Sequence, residues 1–79
     1  MELKHTICVV TGAASGIGRA LCHAFATQGA KHVVCVDRDG DGAAATAAAV
    51  GGTAFTVDVS QEQPIKDMID TVERDIGPI

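Results

Sequence analysis

Three short runs of apolar and β-branched residues, at 5–10 (H-T-I-C-V-V), 32–36 (H-V-V-C-V) and 53–59 (T-A-F-T-V-D-V), are each followed by a segment of helical character. Runs with no polar alternation read as strands buried on both faces. After the first run, Ile17, Ala20, Leu21, Ala24 and Phe25 recur at helical spacing, which predicts a helix burying that stripe and stopping at Gly29. Residues 43–49 are six alanines and one threonine, which reads as a short helix after a polar turn at 37–42, halted by Gly51 and Gly52. Ile65, Met68, Ile69, Val72 and Ile76 form a third stripe that ends at Gly77-Pro78. Ser60-Gln61-Glu62-Gln63 ahead of it has the form of a capping box, with Ser60 and Gln63 serving each other's amides. The order β-α-β-α-β-α predicts an α/β fold built on a parallel sheet with both faces covered. Right-handed crossovers then lay its three strands side by side in the order 3-2-1.

The length of 79 residues allows one small domain, 1–79. Its stability margin is thin, since a chain this short hides only about 60% of its unfolded surface. The net charge of −4 offers no basic surface to nucleic acid or to an anionic membrane, so neither is expected as a partner. No apolar run approaches the roughly 20 residues of a membrane span, and the polar start at 1–5 does not resemble a signal peptide. Cys8, Cys22 and Cys35 form no Cys-x-x-Cys pair and match no zinc spacing, so they read as small buried fillers in a reducing, cytoplasmic setting.

The junction between the first strand and the first helix is Thr11-Gly12-Ala13-Ala14-Ser15-Gly16-Ile17-Gly18. A helix start carries free amides and about half a positive charge, so a phosphate can rest there if no side chain intervenes. Gly12 permits a tight exit from the strand, Gly16 a close approach to a pyrophosphate, and Gly18 close packing of the helix. The spacing G-x-x-x-G-x-G departs from the G-x-G-x-x-G dinucleotide form, and no Gly-Lys-Ser/Thr follows as a P-loop requires. Taken alone, such a turn also reads as nothing more than a tight connection.

Asp37, 19 residues beyond Gly18 at the end of the second run, stands where an acid that holds a ribose is expected. Its carboxylate would accept both hydroxyls of an adenosine ribose and repel a 2′-phosphate, which favours NAD over NADP; the plain reading is a turn or capping aspartate. Asp58 and Val59 close the third run and can meet adenine, Asp58 accepting from its amino group and the Val59 amide donating to a ring nitrogen. The plain reading of Asp58 is an exposed strand-end carboxylate. Arg38 either stacks on adenine or is a solvated charge, and a basic residue here can also hold a 2′-phosphate. His5, His23 and His32 have no nucleophile partner and read as surface or strand-edge residues. Asp67, Asp70, Glu73 and Asp75 read as solvated charge on the last helix.

T-G-A-A-S-G-I-G after the first strand, Asp37 after the second and Asp58-Val59 after the third resemble the short-chain dehydrogenases/reductases. The resemblance covers the whole chain but only the first half of that family's cofactor-binding Rossmann fold. It implies that Gly12, Ser15, Gly16, Ile17 and Gly18 surround the pyrophosphate and adenosine ribose, that Asp37 binds the ribose, and that Asp58 and Val59 bind adenine. Members that prefer NADP often carry a basic residue where this chain has Ser15, so the resemblance again favours NAD. The family's Tyr-x-x-x-Lys pair, serine and asparagine belong to a later half, and this chain contains no tyrosine and no asparagine. No catalytic residue is therefore assigned.

The expectation is the cofactor half of a longer NAD-dependent oxidoreductase acting on an alcohol or ketone, not catalytic by itself. Such a parent would be a homo-oligomer, whereas the isolated piece would self-associate through its first strand. The alternatives are a non-catalytic NAD-binding or regulatory module, and a fold with no ligand whose glycines serve packing.

Overall fold

The computed structural model describes residues 5–79. The elements run β1 (Ile7–Thr11), α1 (Gly16–Thr27), β2 (His32–Asp37), α2 (Gly40–Val50), β3 (Thr53–Thr56) and α3 (Glu62–Asp75). The strands form one parallel sheet in the order β1-β2-β3, with Ile7 beside His32 and Val34 beside Thr53. The parallel pairing and the strand order are those expected from the sequence.

The central strand shows why the chain needs helices on two sides. Val33 and Cys35 point into one cluster with Val10, Ala13, Cys22 and Ala47, which α1 and α2 cover. Val34 and Val36 point the other way, into a cluster with Ile7, Val57, Met68 and Val72 from α3. All four β2 residues from Val33 to Val36 are buried, because strand side chains alternate and each face has its own cover. The stripe on α3 is the predicted one: Met68 and Val72 are buried, and Ile65, Ile69 and Ile76 pack around them.

Five sequence-based expectations need correction. The first strand starts at Ile7, leaving exposed His5 outside it. The stripe proposed for the first helix faces largely outward, with Ile17 81% and Leu21 41% exposed, and only Phe25 of that set joins the core cluster. The sheet-side face of α1 is instead Gly18, Cys22, Phe25 and Ala26, because small side chains let the helix lie close to the turn and to β2. The alanine helix is longer at both ends than 43–49. Asp39 caps its start by accepting from the Gly42 amide at 3.1 Å, and Gly51 ends it at φ 71°.

The third strand stops at Thr56 and not at residue 59. Its partner β2 ends opposite, at Asp37, whose carbonyl still accepts from the Val57 amide at 3.1 Å; past that bond β2 offers no further strand residue for 58 and 59 to pair with. The capping box does not form: α3 begins after Gln61 with no side-chain cap. The Ser60 hydroxyl donates to Asp58 at 2.7 Å, while the Gln63 amide reaches forward to Asp67 at 2.9 Å.

Candidate functional site

At the carboxyl ends of the strands, Gly12, Asp37, Arg38, Val57 and Val59 line an open hollow of about 230 Å³. Three sequence segments meet there: the exit of β1, the end of β2 and the loop after β3. Parallel strands release their chains at the same end, so the sheet brings these segments together.

Three hydrogen bonds hold the glycine turn. The Ala13 amide donates to the Val36 carbonyl at 3.0 Å. The Thr46 hydroxyl, buried on α2, donates to the Ala13 carbonyl at 2.8 Å. The Ala14 amide donates to Asp37 Oδ2 at 3.0 Å. Backbone and side chains of β2 and α2 thus fix the path of the chain into α1. Gly12 and Gly16 take φ of 69° and 60°, in the left-handed region that glycine enters freely. A Cβ at either position would meet nothing within 4 Å, so the space beside the turn is open. Gly18 differs: its Cβ would overlap the Gly12 carbonyl, so here glycine is needed for the closeness of α1 to the turn.

The start of α1 is electrostatically distinct from the other two helices. Ser15 stands at its N-cap in extended backbone with no side-chain cap, and its first turn holds no acid. By contrast, α2 is capped by Asp39 and carries Asp41 in its first turn, and α3 carries Glu62. Among the three described helices, α1 alone leaves the positive end of its dipole uncompensated by a carboxylate at its start. Exposed Ile17 sits in the same turn.

Asp37 does two things at once. Its Oδ1 accepts from the Asp39 amide at 3.0 Å and its Oδ2 from the Ala14 amide. These amides, with the Arg38 charge beside them, hold its carboxyl below the usual 3.8. A carboxylate has about four acceptor positions, so these bonds do not exhaust the capacity of Asp37, which lines the hollow. The turn-aspartate reading and the ligand reading are therefore compatible in one residue.

Asp58 lies in the loop after β3, half-buried, with Oδ1 accepting from the Ser60 hydroxyl and, at 3.0 Å, from the Ser60 amide. Those bonds, and Arg38 more weakly, also pull its carboxyl below the ordinary value. Val59, 50% exposed, and Val57, buried, both line the hollow. Arg38 is exposed and its charge is felt by both carboxylates.

Sequence reasoning passed over Thr46. The available signal was one hydroxyl inside an alanine run, which has no packing reason to be there. His32, expected as a strand-edge residue, hydrogen bonds Thr53 across β2 and β3 at 2.8 Å. No group of three or more His, Cys, Asp or Glu side chains among the described residues is placed to hold a metal ion. No helix among them is long and apolar enough to cross a membrane.

The family model for short chain dehydrogenases matches residues 6–79. D-threitol dehydrogenase of Mycolicibacterium smegmatis is 40% identical over 99% of this chain and 32% of its own length. Galactitol 2-dehydrogenase of Agrobacterium fabrum is 38% identical over all of this chain and 31% of its own. A solved structure described as ribose-5-phosphate isomerase from Brucella melitensis superposes with a TM-score of 0.89 and 37% identity, over 96% of this chain and 29% of that one. The chain spans about a third of the length of these relatives.

Proposed function

We propose that this chain, which belongs to the short-chain dehydrogenase family, is the half of an oxidoreductase domain that holds the adenosine diphosphate part of NAD. In this reading the amides of Gly12, Ser15, Gly16, Ile17 and Gly18 receive the diphosphate. Asp37 accepts the hydroxyls of the adenosine ribose. Asp58 and Val59 meet adenine, with Arg38 flanking it. The observation that carries the reading is the contrast among helix starts. Among the three described helices only α1 begins with neither a carboxylate nor a side-chain cap, and it opens on a glycine turn tied to Asp37, which lines the adjoining hollow.

The residues present fit such a group. Open space beside Gly12 and Gly16 admits phosphate oxygens to the backbone, and the helix dipole favours their charge. Asp37 is ionised at neutral pH, so it accepts hydroxyl protons and repels a 2′-phosphate, which supports NAD over NADP. When bound, the nicotinamide end supplies hydride acceptance or donation. The chain has no tyrosine and no asparagine, so the family's proton-transfer residues would come from the other half of a longer protein acting on an alcohol or ketone. Domain assignment follows: residues 1–79 form the cofactor half, and the catalytic half lies outside this sequence.

Calorimetric titration of the chain with NAD, with NADP and with adenosine diphosphate tests this. NAD and adenosine diphosphate should bind with similar, weak affinity and NADP more weakly. Asp37→Ala should lose at least about tenfold, the order of one charge-assisted hydrogen-bond pair. Equal affinity of the variant and the wild type would remove Asp37 from the site. No heat with any of the three would favour the ligand-free reading of the glycines.

A further inference from the structure

Cys22 of α1 and Cys35 of β2 lie with their sulfurs 3.6 Å apart, the Cys35 thiol donating to the Cys22 sulfur. Both side chains are fully buried, walled in by Val10, Ala13, Val33 and Ala47. Neither takes part in the proposed nucleotide site. Their elements do: α1 carries the free amides of the glycine turn, and β2 ends in Asp37.

We propose that Cys22 and Cys35 are a site of oxidative modification, which a small disulfide such as oxidised glutathione converts to an intramolecular bond joining α1 to β2. A disulfide brings sulfurs to about 2.05 Å, so closing the pair shortens their separation by roughly 1.5 Å. Gly18 already lies against the Gly12 carbonyl, so the approach falls to the two cysteine side chains, which are in contact across the α1–β2 interface, and not to a movement of α1 as a whole.

The chemistry balances in two exchanges. The thiolate of one cysteine attacks a sulfur of oxidised glutathione, the oxidant's S–S bond breaks, and one glutathione leaves as thiolate. The thiolate of the second cysteine then attacks the protein-bound sulfur, the Cys22–Cys35 bond forms, and the second glutathione leaves. The protein loses two electrons and two protons; the oxidant gains the electrons, and the leaving thiolates or solvent take the protons.

Burial, with the neighbouring Cys22, pushes the Cys35 thiol up to about 12. Attack therefore proceeds while α1 is locally lifted from the sheet, and reclosure brings the two sulfurs together. The site is slow compared with an exposed thiol, and its rate follows opening of the helix. Cys8, half-buried on β1, is the competing thiol.

The test is incubation of the full chain with excess oxidised glutathione at mildly alkaline pH, in buffer and in denaturant, read by intact mass and peptide mapping. In buffer the expected product is about 2 Da lighter and maps to Cys22–Cys35, with the melting temperature raised on the order of 10 °C. Cys8→Ser should keep the 2 Da loss, while Cys22→Ser and Cys35→Ser should each abolish it. In denaturant the pairings should scramble among the three cysteines. Unchanged mass, a glutathione adduct confined to Cys8, scrambled pairing in buffer, or a lowered melting temperature on oxidation would each overturn the proposal. The wild-type map stands even if a serine variant fails to fold.

Discussion

Replacing Gly18 with alanine probes how closely α1 approaches the turn. The new Cβ would overlap the Gly12 carbonyl oxygen and lie 2.5 Å from its carbon and 3.1 Å from the Ala13 nitrogen. Ordinary contact starts near 3.4 Å, so the helix or the turn must retreat by roughly 1 Å. The turn cannot easily yield, because Val36, Thr46 and Asp37 hold Ala13 and Ala14. The strain falls on α1, which would lift Cys22 from its pocket. Overpacking against such a fixed partner costs about 3 kcal/mol, the upper end of the usual range. Gly16→Ala serves as the control: its φ of 60° costs an alanine about 1 kcal/mol, but nothing stands in its way.

A chain of this size has roughly 4–12 kcal/mol of total stability, so the first substitution removes a large part of it. Urea unfolding followed by far-ultraviolet circular dichroism is the assay, since the chain has no tryptophan or tyrosine to report by fluorescence. With a slope of about 1 kcal/mol per molar urea, Gly18→Ala should lower the midpoint by about 3 M and Gly16→Ala by about 1 M. Equal midpoints for the two variants would refute the close-approach argument.

Thr46→Val keeps the shape but leaves the buried Ala13 carbonyl without its hydroxyl donor, and should cost about 1–3 kcal/mol in the same urea titration. Asp37 and Asp58 both hold their protons less readily when folded than unfolded, so their ionisation favours folding. That contribution is complete above the ordinary carboxylate range and is lost as pH falls below 3.8 through the lowered folded values. Melting curves from pH 6 downward should show the loss, and Asp37→Asn should flatten it. Among the described residues β1 pairs only with β2, so its second edge, lined by Cys8 and Val9, is open. Sedimentation equilibrium should show self-association rising with concentration, and a monomer throughout would contradict it.

Element order, strand direction and the buried face of α3 were legible because they depend on local pattern. Val33 to Val36 can be satisfied only between two covering layers, and Met68 and Val72 stand on a stripe with no apolar rival on the same helix. On α1 the same reasoning chose the wrong face. Ile17 and Leu21 are larger and more apolar than Gly18, Cys22 and Ala26, yet the smaller residues face the sheet. Hydrophobicity ranks side chains one at a time, whereas the separation of helix from turn is decided by the largest atom between them. The loss of the capping box has a similar origin. Ser60 had two possible acceptors or donors within reach, and the turn after β3 brought Asp58 to it.

The sequence by itself determined the alternation of strands and helices, the place of the glycine turn and the spacing to Asp37, because each rests on residues close together in the chain. Tertiary structure decided which face of α1 is buried, where β3 ends and what holds the turn. Those outcomes depend on Thr46 reaching Ala13, Asp37 reaching Ala14 and Cys35 meeting Cys22, contacts between elements 33, 23 and 13 residues apart. Such contacts form only once the parallel sheet has brought distant segments to one end, and no local propensity encodes them.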